Sequence, residues 1–63
     1  MTYLELEAGL RGIAMKMKAE AYARRGQPDA LFIRENLMRD ALVLGGAADV
    51  VHECAEGAPE NHV

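Results

Sequence analysis

The 63-residue chain has one cysteine, no tryptophan, two prolines and three aromatic residues, Tyr3, Tyr22 and Phe32. Each scarcity excludes something. A lone cysteine, Cys54, cannot close an internal disulfide. This rules out a cystine-stapled secreted scaffold and makes the reducing cytoplasm the default expectation. No stretch approaches the roughly 20 apolar residues that span a bilayer, so no membrane partner is expected. The first residues, Met1-Thr2-Tyr3-Leu4-Glu5, lack a positive region and a continuous apolar run and do not read as a signal peptide. There is no phosphate loop, no dinucleotide fingerprint and no nucleophile elbow. No motif names a reaction, so the expectation is a non-enzymatic chain without a cofactor. The length excludes a doubly wound sheet, a barrel or a second domain.

What is present favours helix. The apolar half of the chain is mostly Ala, Leu, Val and Met, good helix formers or neutral ones, with few residues that prefer sheet. Thr2-Tyr3-Leu4-Glu5 fits a capping box, with Glu5 and Glu7 at the positive end of a helix dipole. Arg24 and Arg25 suit the negative end, and Gly26 suits the left-handed position just beyond it. Pro28 is placed to open a second helix, with Asp29 in its first turn. The reading is a single all-α domain over residues 1–63. It is an antiparallel hairpin with a helix over about 2–25, a turn at 26–28, a helix over about 28–56 and a tail from 57 to 63. Gly45-Gly46 interrupts the second helix. Continuity with a bend or a close contact is expected there, a true break being the alternative. Gly9 and Gly12, inside the first helix, suggest close packing.

Projected at about 100° per residue, Leu6, Leu10, Ile13, Met17 and Ala21 share one stripe of the first helix. Leu4, Ala8, Met15, Ala19 and Tyr22 form a second group. In the second helix Leu37, Ala41, Leu44, Ala48, Val51 and Ala55 are spaced 4, 3, 4, 3, 4. That is a heptad seam alternating large residues with alanine. Leu31, Met38 and Leu42 form another patch, and Phe32, Val43 and Val50 a third. A hairpin has one internal interface, and a chain this short buries only about 60% of its unfolded surface alone. The surplus apolar surface therefore predicts an oligomer, with a symmetric dimer of hairpins forming a four-helix bundle as the favoured form.

Charge is segregated. Residues 1–10 and 45–63 hold six acids and no Lys or Arg, while residues 11–44 hold all seven basic residues and four acids. A hairpin built this way has an acidic open end and a basic turn end. Glu35 and Arg39 read as an i,i+4 pair, and Arg24 and Arg25 as helix-end residues. Asp40 falls beside the seam, placed to pair with Lys16 or Lys18 across the hairpin. Asp49, His52, Glu53 and Glu56 share one helical face, a pattern that can hold a divalent metal but lacks a two-histidine signature, so no metal is expected. Cys54 reads as a small buried residue, and His62 falls in the tail.

In length and hairpin layout the whole chain is similar to the repressor-of-primer proteins of plasmids. Those are short helical hairpins that dimerise into bundles and bind RNA on a helix face. The likeness rests on no residue motif, so it assigns no binding residues. Two function classes follow from the residues. The first is a protein–protein interaction module, a regulator or inhibitor of the kind phages and plasmids encode, binding its partner through Phe32, Arg34, Met38, Arg39 and Leu42. The second is an RNA- or DNA-binding dimer using Lys16, Lys18, Tyr22, Arg24 and Arg25. A weaker third is sequestration of a small anionic ligand between subunits, with arginines as clamps.

Overall fold

The computed structural model describes residues 1–57. The tail from Ala58 to Val63, with His62, lies outside the described residues. Helix α1 spans Tyr3–Ala23 and helix α2 spans Leu31–Gly57, with one 3-10 turn, Pro28–Ala30, leading into α2. Local chemistry accounts for each boundary. The Glu5 N–H donates to the Thr2 hydroxyl at 3.1 Å, and the Thr2 N–H donates to the Glu5 carboxylate at 3.3 Å. These two bonds satisfy orphan donors at the start of α1, and they are the expected capping box.

α1 ends at Ala23, two residues short of the expected Arg25. The Arg24 and Arg25 N–H groups donate to Ala21 and Tyr22, tightening the last turn. Their side chains then turn back, Arg24 donating to the Glu20 carbonyl at 3.2 Å and Arg25 to the Tyr22 carbonyl at 3.5 Å. Both cations thus serve the negative helix end from just beyond it. Gly26 follows at φ +83°, the left-handed position expected of it. Pro28 opens the 3-10 turn, and the Ala30 N–H closes onto the Gln27 carbonyl.

α2 runs unbroken through Gly45-Gly46 and includes Gly57. The glycines are not there for close approach. A Cβ built at Gly9, Gly12, Gly45 or Gly46 would meet nothing within 4 Å. The expectation of close packing at Gly9 and Gly12, and of a close contact at Gly45-Gly46, is therefore corrected.

Among the described residues only alanines are buried: Ala14 and Ala21 in α1, Ala41 and Ala48 in α2, and Ala30 at the turn. The α2 seam is the expected one. Ala41 and Ala48 are fully covered, and Leu37, Leu44, Val51 and Ala55 are half-buried. The α1 seam differs. Ile13 is 48% exposed, and Ala14 takes the place expected for it. Leu6, Leu10 and Met17 are half-buried. The physical reason is the small-residue layering. Alanine lets helices approach closely, and a close approach leaves no room for a branched side chain in the middle of the seam. The bulky residues move to its edge. The Cα trace measures 49 × 14 × 12 Å, so the hairpin is one helix thick. No large side chain among the described residues is fully buried, and no described helix is long and apolar enough to cross a membrane.

Candidate functional site

The link between the helices is short, so residues equally far from the turn lie side by side. This brings Ala21, Tyr22 and Arg25 of α1 against Leu31, Arg34, Glu35 and Met38 of α2, around an open groove of about 450 Å³. Ala21 keeps the floor low, and Leu31 and Met38 make it apolar. The two walls each carry a guanidinium. Arg25 lies 3.8 Å from the centroid of the Tyr22 ring, a cation–π contact that fixes both groups. Arg34, on the other wall, is half-buried.

Two separate sets of sequence candidates meet in this groove. Arg34 and Met38 come from the expected protein-binding set, Tyr22 and Arg25 from the expected nucleic-acid set. Leu42, one turn beyond Met38 and well exposed, extends the same side. Phe32 and Arg39 do not join. Their positions on α2 point them to its outer side, where Phe32 is 74% exposed beside Val43 and Val50 on the same helical stripe. Lys18 lines a second, smaller depression with Arg11, Ala14, Met15 and Gly45. Lys16 is two residues away and faces the opposite side of α1, and Arg24 is held against Glu20, 3.9 Å away. The basic residues therefore do not form one continuous patch. Sequence reasoning missed Leu31, Glu35 and the seam residue Ala21 as groove residues. The pairing of positions equidistant from Gly26-Gln27 was the available signal.

The open end carries a second constellation. Arg11 donates to Glu7 Oε2 at 2.8 Å and to Asp49 Oδ1 at 2.9 Å, joining α1 to α2. His52 places Nδ1 2.9 Å from Glu7 Oε1 and Nε2 2.9 Å from Glu56 Oε1. The hydrogen bond to Glu7 raises the His52 pKa above its usual 6.5, with the carboxylate charges of Glu7 and Glu56 adding to it. In return the hydrogen bonds from His52 and then Arg11 lower the Glu7 carboxyl below its ordinary value. The arrangement is a chain, Asp49–Arg11–Glu7–His52–Glu56, that clasps the two helices and alternates in charge when His52 is protonated. Among the described residues no group of three or more His, Cys, Asp or Glu is placed to hold a metal ion.

Three pairings differ from expectation. Asp40 lies 3.7 Å from its neighbour Arg39, not against Lys16 or Lys18, because Lys18 sits on the groove side of the hairpin and Asp40 on the other. Arg39 accordingly turns to Asp40 and not to Glu35. Cys54 is exposed, not buried, because three residues past Val51 it has rotated off the seam. Comparison with protein-family models, with curated proteins and with solved structures finds no match for this chain.

Proposed function

We propose that the protein is a non-enzymatic protein–protein interaction module, a regulator or inhibitor that works as a pair of hairpins and docks its partner in the groove beside the turn. The observation that carries this reading is the groove itself. It has an apolar floor of Leu31, Met38 and Ala21 between two guanidiniums, Arg25 and Arg34. Such a site suits an apolar side chain followed by a carboxylate, which a short acidic amphipathic segment supplies. Met38→Glu fills the floor with charge, and Arg34→Glu reverses one wall. The test is selection from a displayed peptide library against the full chain. The expected outcome is enrichment of peptides that pair apolar with acidic residues, and loss of their binding by at least tenfold in both variants. Enriched peptides that bind the variants unchanged would sink the reading.

A second reading has one observation in its favour, the stacking of Arg25 on Tyr22 in the same groove. It makes the groove end a nucleic-acid contact. The separation of Lys16, Lys18 and Arg24 from that groove makes it the lesser reading. Fluorescence anisotropy with a labelled RNA hairpin separates the two. Nucleic-acid binding requires affinity that falls steeply between 50 and 200 mM salt and disappears in a variant carrying Arg24→Glu and Arg25→Glu.

A further inference from the structure

We infer that the turn groove and the smaller depression beyond it are one trough, and that it seats a single acidic amphipathic helix lying lengthwise along the hairpin. This rests on the protein-docking reading above and gives the partner its form.

The trough is built by repetition. Its α1 wall repeats every seven residues. Ala21 repeats Ala14 on the floor, Tyr22 repeats Met15 on the rim, and Arg25 repeats Lys18, which repeats Arg11. On α2, Leu31, Met38 and Gly45 keep the same interval. Seven residues are close to two helical turns, so each set stays on one side of the hairpin and the two depressions lie end to end. The floor is low twice, at buried Ala21 and at buried Ala14. Beside Ala14, Gly45 adds no side chain, and the space where its Cβ would stand is open. Each low point is a hole for a large apolar side chain, and the exposed Met15, Tyr22 and Leu42 edge the holes.

The interval selects a helix. The two holes are about 10.5 Å apart, the rise of one heptad. A partner helix with an apolar residue in each heptad fills both. An extended segment covers that distance in about three residues, and an odd step turns the next side chain away from the trough.

Charge selects an acidic helix. Arg11 is already held by Glu7 and Asp49. One heptad nearer the turn on each helix, Lys18 comes level with Leu42, so no acid stands across from it. Among the described residues Lys18, Arg25 and Arg34 make no ion pair, and Glu35 is the one acid beside them on the trough. A helix with a carboxylate in each heptad meets Lys18 and Arg25 in turn while its apolar stripe enters the holes. Apolar holes between the cations suit leucine-sized side chains better than a phosphate backbone.

The test uses the full chain and a synthetic peptide of three heptads, with leucine at the first and fourth positions of each and glutamate at the fifth and seventh. Glutamate at those positions keeps the peptide from pairing with itself. Its controls are one heptad alone and a scrambled peptide of the same composition. By fluorescence anisotropy the three-heptad peptide should bind at least tenfold more tightly than either. Lys18→Glu and Gly45→Leu change the trough beyond the turn groove. Each should weaken the three-heptad peptide at least tenfold and leave the short peptides selected on the turn groove unaffected. Gly46→Leu, on the outer side of α2 with Phe32, should change neither. Circular dichroism confirms folding, and if one trough variant fails to fold, the other decides. Short peptides that bind while the three-heptad peptide gains nothing, or ignores both trough variants, overturn this inference and leave the docking reading standing. If no peptide of either length binds, both fall. A labelled RNA hairpin that binds and is released by Lys18→Glu assigns the cations to nucleic acid. A dimer that Gly45→Leu splits into monomers assigns the trough to a second copy. Either result also overturns the inference.

Discussion

His52 is the residue whose protonation matters most to the fold, because both of its ring nitrogens face carboxylates and one of those belongs to the other helix. Its pKa is raised by the Glu7 hydrogen bond, so its contribution is fully present below the ordinary 6.5 and is lost as pH climbs through the raised value. Glu7 works in the opposite sense. Its lowered pKa gives stability above the usual carboxylate range, lost as pH falls through the lowered value. The clasp is therefore strongest from just above the ordinary carboxylate pKa up to about pH 6.5. Thermal melts should show a higher Tm at pH 6 than at pH 8.5, and His52→Asn should shrink that difference. A Tm that is flat across this range in the wild type would show the clasp to be energetically silent.

At the scale of the element, α2 carries two unneeded glycines and the turn carries one needed glycine. Gly46 sits in a helix interior with open space where its Cβ would be. Gly46→Ala should stabilise the protein by about 1 kcal/mol, the helix-propensity difference. Gly26 stands at φ +83°, where an L side chain costs about 1 kcal/mol or more. Gly26→Ala should destabilise by that amount although it too has room around it. Urea melts of the two variants, expected to move in opposite directions, check both. The same elements show how far the sequence could be read. The caps, the turn glycine, the break at Pro28 and the α2 seam were all legible, because each is a local signal tied to backbone geometry. The α1 seam was legible only in part. Ile13 and Ala14 are adjacent, and hydrophobicity favours the isoleucine, whereas the close approach of the helices favours the alanine. Packing decided between them, and packing is not local. The groove was unreadable for a related reason. Tyr22 and Arg25 belong to one helix, Arg34 and Met38 to the other, and only the folded turn brings them together. Cys54 and Asp40 failed likewise, since a half-turn's rotation about α2 decides which side a residue near the seam takes.

For the whole molecule the governing fact is thinness. A layer one helix deep, with only alanines enclosed, is a poor source of stability by itself, because small side chains remove little apolar area from water. If assembly supplies the remainder, folding and association are one equilibrium, and the midpoint of thermal unfolding depends on protein concentration. Melts at 2 and 200 μM should differ by several degrees, the dilute sample melting first. Coincident curves would show that the hairpin is self-sufficient, and would weaken the paired-hairpin proposal.

The alanine seam has a last consequence, in abundance and turnover. If a second copy completes the fold, each tenfold fall in concentration removes about 1.4 kcal/mol of assembly free energy. Below a threshold amount the helices open, and an open chain of this size is an easy proteolytic substrate. Scarce protein would then be cleared faster, molecule for molecule, than plentiful protein, so that its steady level would rise more than in proportion to its rate of synthesis.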